Sequence, residues 1–128
     1  MKNIFKLVTL SLLILTFTGC ARTLPIHNVE SQSVNYELSI DQIEKAILQA
    51  GIDKGWMMNV VEPGEIEAYV LVRHHKAEVN ITYNEKTYSI TYKDSENLLY
   101  GDGKIHRNYN KWVILLERQI QLNLNAAS

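Results

Sequence analysis

After residue 38 the apolar positions of this chain change period twice, from helical to alternating and back to helical. Ile40, Ile43, Ile47 and Ala50 fall on one helical face. Ser39-Ile-Asp-Gln42 in front of them is a capping box: the serine oxygen accepts from the amide three residues on, and the glutamine reaches back. Gly51 stands where a left-handed residue would end this helix. Alternation follows. Trp56, Met58 and Val60 point one way and Asn59 the other, and Ile66, Ala68, Val70 and Val72 alternate with Glu65, Glu67, Tyr69 and Leu71. Ala77, Val79, Ile81 and Tyr83 alternate with Glu78, Asn80 and Thr82, and Tyr88, Ile90 and Tyr92 with Thr87, Ser89 and Thr91. Tyr109, Trp112, Val113, Leu116 and Ile120 then return to helical spacing, with Asn108 or Asn110 placed to cap the start.

Pro63-Gly64 and Asn84-Glu-Lys86 are turn signals, but Glu65 to Tyr83 contains neither glycine nor proline. At about 3.3 Å per residue that run would reach roughly 60 Å, against a radius of gyration near 13 Å for a domain of this size, so it must fold back. The polar stretch Arg73-His-His-Lys76 is the place, as a turn between two strands or as a sharp bend. The expected fold class is α+β, in the order α-β-β-β-β-α: a four-stranded antiparallel meander with two helices on its apolar face, over residues 39–128. Ala21 to Glu37 shows little periodicity and reads as a tether, with Val34-Asn-Tyr-Glu-Leu38 alternating like an edge strand.

The N-terminus has a different character. Met1-Lys-Asn-Ile-Phe-Lys6 carries two positive charges and no acid, and Leu7 to Phe17 is apolar apart from Thr9, Ser11 and Thr16. These are the charged and apolar regions of a secretory signal, too short to span a bilayer comfortably. The run ends Phe17-Thr-Gly-Cys20 at the only cysteine of the chain. Here it resembles the bacterial lipobox, with phenylalanine where leucine is usual. The resemblance implies a signal peptide over 1–19, removed to leave Cys20 as the first residue. Cys20 would carry a diacylglyceryl thioether and a further, palmitate-type acyl chain on its amine, and the segment 20–38 would be the lipidated cysteine and its tether. One acyl chain holds a protein on a membrane only marginally, at about 0.8 kcal/mol per buried methylene, whereas three make a lasting anchor. Ala21 in place of aspartate after the cysteine points to the outer membrane. The run Tyr88-Ser-Ile-Thr-Tyr-Lys-Asp-Ser95 and Tyr109-Asn-Lys-Trp-Val113 also resembles small uncharacterised proteobacterial lipoproteins, a likeness that brings no activity with it.

Charge narrows the partners. Losing Lys2 and Lys6 leaves eleven basic residues against fourteen acids, a formal charge of −3. No basic patch exists to neutralise phosphates, so nucleic acid is not an expected partner. A lone cysteine excludes an internal disulfide.

Candidate chemistry gathers at one end of the meander, where His74, His75, Asp94, Ser95 and His106 can converge, with Asp102 nearby. Adjacent histidines on an extended segment point to opposite sides and do not easily share a metal, and neither an HExxH nor a G-x-S-x-G pattern occurs. No metal or cofactor is expected. Glu65, Glu67 and Glu78 sit on the polar, solvated face, without the burial that a general acid needs. That face also displays Asn59, Tyr69, Leu71, Asn80, Thr82, Thr87, Ser89 and Thr91. Tyr69, Leu71, Asn80 and Thr82 form the candidate binding surface, and strand edges offer unpaired backbone for strand addition. The expectation is a noncatalytic binding or scaffolding lipoprotein, membrane-anchored and periplasm-facing, with an envelope protein as partner. The alternative is a small envelope hydrolase or metal-binding protein built on His74, His75 and His106.

Overall fold

The computed structural model describes residues 21–128, so Cys20 and the signal over 1–19 lie outside the described residues. The elements are β1 (Thr23–Pro25), β2 (Val29–Ser33), α1 (Ile40–Asp53), β3 (Met57–Glu62), β4 (Glu65–Val72), β5 (His75–Tyr83), β6 (Thr87–Glu96), β7 (Lys104–His106) and α2 (Arg107–Ala127).

The first helix starts where its capping box requires. Gln42 N donates to Ser39 Oγ at 3.2 Å and Ser39 N donates to Gln42 Oε1 at 2.9 Å. It ends four residues later than Gly51 suggested. Gly55 takes the left-handed conformation at φ 84°, its N–H donating to Ile52 O at 3.1 Å and Trp56 N to Gly51 O at 2.9 Å. That pair of bonds is a Schellman closure. Gly51 lies inside the last turn for a different reason: a Cβ there would collide with the Met58 side chain, so the missing side chain lets α1 approach β3.

The alternating segments form a five-stranded antiparallel sheet in the order β2-β6-β5-β4-β3. The α+β class therefore holds, and β3 to β6 run as a meander, but a fifth strand from the supposed tether extends it. Pro63-Gly64 turns β3 into β4, with Gly64 at φ 89° as a type II turn needs. Arg73–His74 is a two-residue hairpin turn, Val72 pairing with His75 and Arg73 at φ 57°, so the long run folds as two strands. Asn84 shapes the next turn, its Oδ1 accepting from Lys86 N and Thr87 N, each at 2.8 Å.

Ile66, Ala68, Val70, Ala77, Val79, Ile81, Tyr88 and Ile90 line one sheet face and are buried under Ile43, Ile47, Tyr109, Val113, Leu116 and Ile120 of the two helices. Hydrogen bonds fix the layers to each other. Gln121 Nε2 donates to Tyr88 Oη at 2.6 Å, Tyr83 Oη to Glu44 Oε2 at 2.6 Å, and Asn123 Nδ2 ties α2 to Ala46 O at 3.1 Å.

The stretch read as a tether is part of this body. β2 pairs with β6, Val29 opposite Ile90 and Ser33 opposite Thr87, with a bulge between. Ser31, at φ 47°, is accommodated there because its amide donates to Ser89 Oγ at 2.9 Å. Val34 and Leu38 are buried, yet the strand lies upstream of them. β1 pairs with β7, forming a second, two-stranded sheet. The clamp is Asn110, 9% exposed. It accepts from His27 N at 2.9 Å and donates to Pro25 O at 2.9 Å. Its side chain thus closes a loop of more than eighty residues and does not cap α2. The cap is His106, whose Nδ1 accepts from Asn108 N at 3.1 Å.

Replacing Asn110 with alanine strands a donor and an acceptor at a half-buried junction. Asn110→Ala should lower the unfolding free energy by about 2 kcal/mol, measured as a reduced urea midpoint.

Candidate functional site

Two regions carry polar chemistry: the uncovered sheet face and the end holding the histidines. At the second, the structure gives each candidate its own local partner. His75 Nδ1–H donates to Asn97 O at 2.6 Å, and Asn97 Nδ2 donates to His74 O at 2.7 Å. These two bonds knit the Arg73–His74 hairpin to the residues just after β6. Ser95 Oγ shares a 2.8 Å hydrogen bond with Tyr92 Oη, and the Asp94 carboxylate accepts from Ser95 N at 2.8 Å. His106 has its Nδ1 lone pair committed to the α2 cap. The convergence expected of His74, His75, Asp94, Ser95 and His106 is thus a set of separate turn and cap interactions. Among the described residues no group of three or more His, Cys, Asp or Glu side chains is arranged to hold a metal ion.

The uncovered face is built by the alternation of β4, β5 and β6, which sends every second side chain away from the helices. Register fixes the neighbours: Tyr69 stands between Met57 and Glu78, Leu71 faces Lys76, Asn80 lies between Glu67 and Thr91, and Thr82 between Glu65 and Ser89. All four candidate binding residues therefore share one face. Leu71 is 63% exposed and Tyr69 36%. A shallow cleft of about 340 Å³ opens beside them, lined by Asn59, Glu67, Tyr69, Glu78 and Lys93. The Asn80 Oδ1 atom is enclosed without a hydrogen-bond partner.

This face is more charged than its uncharged residues suggested. A bulge in β6 between the pairs Glu78–Asp94 and Val79–Tyr92 adds Lys93, whose Nζ donates to Glu67 Oε1 at 2.6 Å. Lys76 Nζ lies 2.8 Å from Glu78 Oε1 and 5.4 Å from the Tyr69 ring centroid, a cation–π distance. The carboxylate partner raises each lysine above its ordinary pKa, Glu78 acting on Lys76 and Glu67 on Lys93. Both ammonium groups are solvated, so the pairs contribute little to stability. Two lysines do not balance the acids. Glu62 sits directly opposite Glu65, and Glu78 opposite Asp94. Like charges in such cross-strand positions repel.

The sheet's two edges differ. β2 carries a bulge and polar side chains, a combination that discourages further pairing. β3 is the other edge, with Met57, Val60 and Val61 exposed and no strand beyond it among the described residues. The residues Met57-Met-Asn-Val-Val61 are uncharged. A Val- and Met-rich run followed by a turn signals this strand, but alternation alone does not tell an edge strand from a central one.

No known protein family, curated protein or solved structure matches the chain. Among the described residues no helix is long and apolar enough to cross a membrane.

Three tyrosines on the covered side set the alkaline limit of this scaffold. Burial and the hydrogen bond to Glu44 push the Tyr83 hydroxyl up to about 12, and burial raises Tyr88 and Tyr109 as well. Tyrosine in the unfolded chain titrates near 10. The native state therefore favours the neutral phenol, and this contribution is complete below pH ~10 and lost as pH climbs through the folded values. Unfolding free energy should fall steeply above pH ~10 in denaturant titrations. Tyr83→Phe should cost about 1.5 kcal/mol at neutral pH, for the bond to Glu44, and flatten part of that alkaline slope.

Proposed function

We propose that this protein is a lipid-anchored, noncatalytic binding module of the bacterial cell envelope. In this reading it is held through Cys20 on the periplasmic side of the outer membrane and engages an envelope protein through its uncovered sheet face and the adjoining β3 edge. The lipid anchor rests on the basic start, the short apolar run and the small-small-Cys ending of the first twenty residues.

The observation that carries the binding reading is the row Tyr69–Leu71, exposed beside an unpaired strand edge. Contiguous apolar surface next to free backbone donors and acceptors is what strand addition uses. The unbalanced carboxylates give the partner a sign. An extended segment laid along β3 would meet Glu62, Glu65 and Glu67 on the open face, so lysine or arginine at alternate positions complements it. Catalysis finds no comparable support, since His75, His106 and Ser95 are engaged in local hydrogen bonds at a turn, a helix cap and the end of β6.

Two readouts test the two halves of this reading. A clickable palmitate analogue fed to cells should label the wild-type protein and leave Cys20→Ala dark, uncleaved and soluble; an unlabelled wild-type protein contradicts the anchor. A photo-crosslinking side chain at Leu71 or at Asn59 should capture the same envelope protein, less efficiently as salt rises, while one at Glu85 captures none. Silence from both Leu71 and Asn59 contradicts the binding surface.

A further inference from the structure

The end of the domain where the described residues begin carries an exposed apolar group of its own. Leu98 is buried and holds the start of the β6–β7 connection in place, its carbonyl accepting from His106 N at 2.7 Å. The two residues after it turn outward: Leu99 is 60% exposed and Tyr100 56%. Leu99 does so from the left-handed region, at φ 56°, which a branched side chain rarely adopts. Tyr100 is not loose. Its ring stacks on Tyr92 at 4.6 Å, and Tyr92 meets Tyr109 edge-on at 5.7 Å, so a column of aromatic rings fixes it from the core outward. Paired Gly101 and Lys104 close the loop, and Leu24, 42% exposed, lies on the next strand across β7.

The chain enters the fold at this same place. Arg107 N donates to Arg22 O at 2.9 Å, and Thr23 begins β1. Cys20 and Arg22 are two residues apart, so their Cα atoms are separated by at most about 8 Å. A tether of eighteen residues would let the domain stand off a membrane; a free length this short cannot. Arg22, Lys104 and Arg107 are all exposed around the apolar group, with Asp102 as the acid within the loop.

We infer that this end is a bilayer-docking surface: Leu24, Leu99 and Tyr100 seat at the lipid interface while the three basic residues meet anionic headgroups. The inference rests on the anchored reading of Cys20 and deepens it by giving the domain an orientation. Its chemistry is that of interfacial segments generally, apolar and tyrosine side chains flanked by cations.

The test uses the lipidated protein on vesicles of phosphatidylcholine and phosphatidylglycerol. Its only native thiol is consumed by the lipid, so a nitroxide can be placed on Leu99→Cys, or on Glu85→Cys in the turn at the other end of the strand β6. The label at position 99 should be relaxed by oxygen and shielded from an aqueous nickel chelate, with the order reversed at 85. Vesicle flotation and the mass of the Cys20 peptide are read on the same samples. A protein that carries lipid and floats, yet shows position 99 as open to nickel as position 85, overturns the docking surface and leaves the anchor standing. A Cys20 peptide without lipid overturns the anchor, and the docking surface with it. Shielding at position 99 in native envelopes but not on pure lipid assigns the patch to a protein partner and overturns the lipid assignment.

Discussion

The Asn110 side chain reaches from the first turns of α2 to the backbone of residues 25 and 27, accepting from one and donating to the other. An amide is the right group for this task. It offers one acceptor and a donor pair, and it meets two backbone groups of opposite kind at a half-buried junction. Each bond contributes about 1 kcal/mol net, while losing the side chain costs the desolvation of both partners. Much of the architecture depends on the closure. With the chain held at Pro25 and His27, β1 can lie on β7 and β2 on β6. The segment that follows Cys20 in the sequence is thereby built into the domain.

That closure makes the molecule asymmetric. One sheet edge is occupied by β2 and flanked by β1, β7 and the Leu99–Tyr100 loop; the other, β3, has open backbone and exposed Met57, Val60 and Val61. The helices cover one face, and the other carries Tyr69 and Leu71 among carboxylates that face each other across strands. The repulsion between Glu62 and Glu65 and between Glu78 and Asp94 is a standing cost to the free protein, which a cationic partner would relieve.

Much of this fold was legible in the sequence because strong local signals agreed with the final packing. The Ser39–Gln42 box, the 3.6-residue period of both helices and the alternation of β4 and β5 each describe a surface half buried against one layer. The rest failed for physical reasons. β2 buries only Val29 of its five residues and is bulged at Ser31, so neither composition nor alternation marks it. β1 is three residues long and ends in proline. Asn110 was read as a cap because asparagine is common there, although its place among the apolar positions of α2 was the clue to a buried role. The histidine cluster looked like chemistry because topology brings its members to one end, but His75 Nδ1 bonds to Asn97 O, His106 Nδ1 caps α2 at Asn108 N, and His74 takes part only through its backbone carbonyl. Leu99 and Tyr100 lie between β6 and β7 in a stretch without periodicity, so sequence alone does not show that both face outward.

Residue-resolved hydrogen exchange at the N-terminal amides tests the central claim most directly, because a docked segment and a free tether differ there by orders of magnitude. Ile26 N bonds to Gly103 O at 3.1 Å, His27 N to Asn110 Oδ1 at 2.9 Å and Val34 N to Lys86 O at 2.8 Å. These three amides should exchange slowly, at rates set by opening of the sheet they belong to. Exchange at the rate of an unstructured peptide from Thr23 to Val34, with the β4–β6 amides still protected, would contradict the account.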